Sequence, residues 1–258
     1  MNQGRRQTSL VRTALPPIVL GVAAVLLWQW AVVALEIKPF ILPGPFLIGE
    51  EFAENLQNVI SGMIVTGRNA LIGLLVGAVL GILAAIIAAL LPLFDEMGAP
   101  IVASVAVVPI VALAPVLYTM FGAGAETARQ IVAGLAVFVP VYFNTLKGLR
   151  QVRPVHRDLM RAYAASSRQA TKTVTLPTAL PYVFTGLRIA SSLAVISALI
   201  AEYFGGPVGG LGKSITSSAS SSNYGLAWAY VLGSIILGLI FYAAALGLEK
   251  LVTRRTGG

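Results

Sequence analysis

The side chains available for chemistry in this 258-residue chain are few: it has no cysteine and a single histidine, His156. That pattern excludes a disulfide framework, a thiolate nucleophile and most metal centres, so no catalytic group and no metal site is expected. Charge is what remains, and it is unevenly placed. Seven of the eighteen Lys and Arg residues (Lys147, Arg150, Arg153, Arg157, Arg161, Arg168 and Lys172) crowd into the stretch from Lys147 to Pro181, between runs that are almost purely apolar. A stretch so charged must face water. Arg150, Arg153, Arg157 and Arg161 recur at helical spacing on one face, with Val152, Val155, Leu159 and Tyr163 on another, which predicts a short amphipathic helix. A second helical piece is expected from Ser167 to Leu176, and Pro177 and Pro181 then suit the first turn of a further helix. Elsewhere, Arg68, Arg188 and Glu202 lie in or beside the apolar runs, with Asn69, Tyr118, Asn144 and Tyr203 as neutral polar neighbours. A charge at membrane depth is costly and marks a functional position by default. Arg68 and Arg129 fall near the ends of runs, where snorkelling is the simpler role.

The elements that must carry these residues follow from composition. Hydrophobic residues make up 57% of the chain and charged residues only 11%, against about 25% charged in soluble domains. The fold class expected is therefore all-α: a polytopic membrane protein with six transmembrane helices, at about 17–35, 63–91, 101–121, 128–146, 178–203 and 226–246. They form one domain, 17–249, between an N-terminal tail (1–16) and a C-terminal tail (250–258). The basic loop occupies 147–177, and a loop at 204–225 lies on the opposite side. The first span is read as retained, because no small-residue cleavage site follows it. A short amphipathic helix is expected from about Pro45 to Val59. Gly73, Gly77 and Gly81, four apart, predict close contact with another helix. Pro92 to Pro100 reads as a turn, and Pro109 and Pro115 as breaks in the third span. No carboxylate is expected at mid-depth, which weakens a proton relay.

Counted charges set the orientation. The side bearing both termini and the basic loop holds thirteen Lys and Arg; the other side holds two, Lys38 and Lys213. Termini and basic loop are therefore expected in the cytoplasm, with the chain in a bacterial plasma membrane. The net charge of +8 does not point to nucleic acid, because no basic domain stands apart from the apolar spans.

Within the basic loop, Asp158-Leu159-Met160, Ala164-Ala165-Ser166 and Leu176-Pro177-Thr178-Ala179-Leu180-Pro181 resemble the cytoplasmic EAA loop of permease subunits in binding-protein-dependent ATP-binding cassette importers. The resemblance covers roughly Leu42 to Tyr242 and is nearest to the branch serving nitrate, sulfonates, taurine, bicarbonate, thiamin precursors and riboflavin. Two departures stand out: Asp158 and Leu159-Met160 replace Glu and two alanines, and Ala164 replaces the usual Gly, which puts the sharpness of the turn in question.

The resemblance implies a type I importer permease with a cytoplasmic coupling helix. It implies ATPase subunits that bind ATP and Mg, a second permease copy, a periplasmic or lipid-anchored solute-binding protein, and no cofactor or catalysis of the chain's own. Asp158, Leu159, Arg161, Ala162, Tyr163, Ala164, Ala165 and Ser166 are the residues expected to seat on the ATPase. Membrane lipid is the other partner for the basic ridge, at about 1 kcal/mol per charge. Gly209-Gly210-Leu211-Gly212, in a Gly- and Ser-rich stretch, resembles the family's external gate segment; a flexible linker has the same composition. Gly209 and Gly210 thus join Arg68, Asn69, Tyr118, Asn144, Arg188, Glu202 and Tyr203 as pathway or gate candidates. The alternative is an ion- or proton-coupled secondary transporter, which calls for paired broken helices and buried carboxylates. A membrane enzyme would need a nucleophile with a base.

Overall fold

A computed structural model describes residues 10–255. Among these, every regular element is helical: α1 (Leu10–Ala34), α2 (Pro45–Glu54), α3 (Leu56–Leu90), α4 (Pro92–Val107), α5 (Ile110–Phe121), α6 (Thr127–Arg150), α7 (Pro154–Ala162), α8 (Ser167–Ala170), α9 (Leu176–Tyr203), α10 (Leu211–Ser220) and α11 (Tyr224–Arg255). A π-helical turn, Thr171–Thr175, joins α8 to α9. Among the described residues, five helical runs are long and apolar enough to cross a membrane, or six if α4 and α5 count as one broken span.

Backbone chemistry decides where these runs stop and bend. Val108 precedes Pro109, and the proline ring drives it out of the helical region to ψ 125°. The helices on either side are bent by 96°. The expected third span, 101–121, is therefore two helices, and the expected turn at 92–100 is the first half of α4, opened by Pro92. Pro115 does not break α5, which runs through it.

The fifth span also differs from expectation. Pro177 stands in the first turn of α9, as expected, but Pro181 lies inside it, and the helical run continues through the π turn without a break from Ser167 to Tyr203. The wider π turn just before Pro177 accommodates a proline that cannot donate the next hydrogen bond. Likewise the second span begins at Leu56 instead of 63, the short helix before it ends at Glu54, and α11 continues through Leu246 to Arg255, into the expected C-terminal tail. Residues 204–225 are not a linker: they hold α10.

The core is built by backbone proximity. α6 lies between α3 and α9, and the glycine stripe lets it approach α3. A Cβ on Gly77 would stand 2.3 Å from the Gly134 carbonyl oxygen, and one on Gly73 would stand 2.5 Å from the Ala133 Cβ. On the other face of α6, Gly148 meets Ala179 and Tyr182, and Gly186 meets Asn144 and Pro140. Val59, Ala70, Val137, Ala190, Ala194, Leu211, Tyr230 and Leu237 belong to the buried cluster among α3, α6, α9, α10 and α11. The outward faces of α3, α9 and α11 expose leucine, isoleucine and valine, as suits hydrocarbon surroundings. α1 packs on the rest near its C-terminal end, where Trp28 meets Trp228 edge-on at 5.8 Å and Gln29 accepts the Phe46 N–H at 3.1 Å.

Candidate functional site

Three groups of polar residues are brought together, and the first surrounds Glu202. Near the end of α9, its carboxylate is fully buried. The Thr66 hydroxyl of α3 lies 3.0 Å from both carboxylate oxygens, and the Gly212 N–H in the first turn of α10 donates at 2.8 Å. Thr66 in turn accepts the Leu211 N–H at 2.9 Å. Two of the N–H groups that a helix start leaves without intrahelical partners are thus satisfied, one directly and one through a hydroxyl. A negative charge also suits the positive end of a helix. Arg129 of α6 faces the same carboxylate at 3.7 Å and is itself fully buried. It does not snorkel. Its Nη2 donates to the Pro207 carbonyl at 2.5 Å and its Nε to the Tyr118 hydroxyl at 3.4 Å, while that hydroxyl donates to the Ala201 carbonyl at 3.3 Å.

Glycines make room for this cluster. A Cβ on Gly210 would fall 2.2–2.4 Å from the Glu202 carboxyl atoms, and one on Gly212 would fall 2.4 Å from the Leu199 carbonyl oxygen. Gly209 sits at φ +119°, a conformation side chains rarely adopt. Beside the cluster, Asn69 is buried and accepts from Gln130 at 3.0 Å, and Arg68 is ion-paired with Glu126. Tyr203, next to Glu202, is turned outward.

The second group joins α9 to α11. Arg188 pairs with Glu249 at 2.9 Å and approaches the Tyr242 hydroxyl at 3.5 Å; Thr185 donates to Glu249 at 2.8 Å. Glu249 lies four residues from the C-terminal end of the apolar run Tyr224–Thr253, past the expected end of the sixth span at 246, so it stands near a helix end and not at mid-depth. Asn144 is spent within its own helix, donating to the Pro140 carbonyl at 2.8 Å.

The third group is the basic loop. α7 has no buried residue, and Val155, Leu159 and Tyr163 are 73%, 52% and 76% exposed. Asp158 and Arg161 pair loosely at 3.6 Å. Ala164 takes φ +51°, so the turn persists without glycine. Its N–H reaches the Arg161 carbonyl and the Ala165 N–H reaches the Met160 carbonyl, both at 2.9 Å, the paired bonds that close a helix at a left-handed residue. Ser166 then caps α8 in a reciprocal box with Gln169. Arg150, just before α7, is paired with Asp95 of α4 at 2.5 Å.

Sequence reading singled out Glu202, Arg68 and Arg188 but missed their partners Thr66, Arg129, Glu126 and Glu249. The signal for Glu249 was present, a carboxylate in the run AAALGLEKLV, but its neighbour Lys250 made it read as a tail. The described residues offer no cluster of His, Cys, Asp and Glu fit for a metal ion. What they hold is an all-helical membrane scaffold with an apolar-faced loop at one end and a buried polar knot at the other.

Comparison with known proteins agrees with that description. Residues 77–257 match the family described as binding-protein-dependent transport system inner membrane component. The chain is 34% identical over 254 residues to the riboflavin transport system permease protein of Chloroflexus aurantiacus, covering 96% of this chain and 94% of that one. It is also 34% identical over 158 residues to the taurine transport system permease protein of Escherichia coli, covering 61% and 55%. A crystal structure of an amino acid ABC transporter with histidines aligns with a TM-score of 0.60 at 17% identity, over 79% of this chain and 96% of that one, a likeness of fold. The chain belongs to the family of inner-membrane components of binding-protein-dependent transport systems. It is a multi-pass, all-α permease subunit of an ATP-binding cassette importer and not a secondary transporter.

Proposed function

We propose that this subunit forms, with a second copy of itself, a passage for a small solute delivered by a binding protein, and that the loop at 147–177 couples it to a separate ATPase. The observation that carries this reading is the bare apolar stripe on α7. A nine-residue helix with no buried residue is marginal alone in water, and Val155, Leu159 and Tyr163 find shelter only against another protein. Asp158, Arg161, Ala162, Ala164, Ala165 and Ser166 complete that seat. The ATPase binds ATP and Mg, and this chain catalyses nothing. Termini and loop face the cytoplasm, as the charge count supports; α10 and residues 205–210 face outward as the gate.

For the solute, we favour a flat heteroaromatic compound of the flavin or pyrimidine kind over an inorganic or sulfonate anion. One relative matched along nearly its whole length is named for riboflavin, and Arg68, Arg129 and Arg188 are already paired with Glu126, Glu202 and Glu249. The test is Leu159→Glu. The variant should insert normally, fail to co-purify with its ATPase, and lose ATP-driven uptake of riboflavin in liposomes carrying the binding protein. Undiminished ATPase association would count against the coupling assignment, and parental uptake of taurine but not riboflavin against the solute class.

A further inference from the structure

We infer that Glu202 is a positioning residue that makes α10 travel with α9. The inference rests on the importer reading only for what that motion accomplishes; the attachment itself is geometric. α10 has no covalent link to α9 other than the segment 204–210, in which Gly205, Gly206 and Gly209 have φ of +154°, +97° and +119°. Such a segment is a hinge. Across it, the Glu202 carboxylate holds the Gly212 N–H at 2.8 Å and, through Thr66, the Leu211 N–H. The same carboxylate is the counter-charge of Arg129, whose Nη2 holds the hinge at the Pro207 carbonyl. One side chain therefore fastens both the hinge and the helix beyond it.

Burial sets the strength of the attachment. Glu202, Arg129 and Thr66 are fully buried, so water cannot replace a lost partner, and removing the carboxylate leaves a buried guanidinium without its counter-charge and the Gly212 N–H unpaired. The opposite end of the same helical run is α8, contiguous through the π turn with α9. A push on the basic loop reaches Glu202 along one continuous helix, and α10 follows because it is tied there. α3 bears the other tie, Thr66, so a relative movement of α9 and α3 strains the knot and releases α10 only when the carboxylate and hydroxyl part.

The chain lacks cysteine, so single reporters are clean. Ser218 on α10 is buried and Ser217 exposed. Reaction of Ser218→Cys with a water-soluble maleimide should accelerate at least tenfold when Glu202→Ala is added to the full-length protein in membranes, and about threefold with Thr66→Val. Ser217→Cys should react at the same rate throughout. Uptake per ATP hydrolysed should fall at least fivefold in Glu202→Ala while hydrolysis continues, and Glu202→Asp should restore part of it, a pattern that simple loss of folding does not give. Ser218→Cys reacting within twofold of the parent rate in both the Glu202→Ala and Thr66→Val backgrounds would overturn the inference. Should Glu202→Ala fail to insert, Thr66→Val alone decides it. Faster labelling in a protein whose parent shows no ATP-driven uptake would instead sink the importer reading and leave the attachment standing.

Discussion

Ala164 ends α7 in a backbone conformation that favours glycine, and that makes it a quantitative probe of the loop. At φ +51° an alanine lies above its right-handed energy by about 1–2 kcal/mol. Glycine has no such penalty but gains about 0.5–1 kcal/mol of freedom in the open chain. The net stabilisation expected for Ala164→Gly is about 0.5–1 kcal/mol, a factor of about two to five in the closed turn. Asparagine tolerates the same region, so Ala164→Asn should act in the same direction. Ala164→Val should do the reverse, since a β-branched residue there is a steric outlier. Hydrogen–deuterium exchange at residues 164 and 165, whose N–H groups reach the Arg161 and Met160 carbonyls, reads the turn directly. After correction for intrinsic rates, Gly and Asn should slow exchange two- to fivefold and Val should speed it severalfold. ATPase affinity should follow the same order if a closed turn is what the ATPase binds. Parental exchange in Ala164→Val would refute the reasoning, because it would mean that the left-handed turn does not hold the end of α7.

Two further outcomes test the scaffold. Gly77→Ala forces α3 and α6 apart against a backbone oxygen 2.3 Å from the new Cβ and should cost about 1–3 kcal/mol; Gly21→Ala in α1, with nothing within 4 Å, should leave the melting temperature in detergent unchanged. Arg188→Met and Glu249→Gln should each lower the melting temperature, and the double variant should recover part of the loss, because each single change strands the other charge. Strict additivity would argue that the two do not interact.

The readable parts of this protein were those governed by local rules. Apolar length announced the long helices, four-residue spacing announced that Gly73, Gly77 and Gly81 would press on a neighbour, and the alternation of Arg157 and Arg161 with Val155 and Leu159 announced α7. The polar knot was not readable as a unit, because Thr66, Arg129, Glu202 and Leu211 come from four helices and meet only through packing. Arg129 looked like a residue at the end of a span, and nothing local distinguishes a guanidinium that reaches water from one that reaches Pro207. α10 read as well as a linker as it did as an external gate segment, because its Gly and Ser content was weighed without the buried carboxylate that caps it. Pro177 and Pro181 suggested a helix start, a sound inference from a missing N–H, but a π turn absorbs the same defect without interrupting the run.

That π turn bears on how the loop and the span are set against each other. A turn of this kind carries one residue more than the α-helix it interrupts, and each residue of an α-helix advances the azimuth by about 100°. The extra residue is therefore stored within Thr171–Thr175, whose wide turn covers in five residues about the azimuth that an α-helix covers in four. Loss of a single one would restore a regular helix and leave α7 facing almost as before, whereas the same deletion inside α9 would swing everything N-terminal to it by about a quarter of a circle.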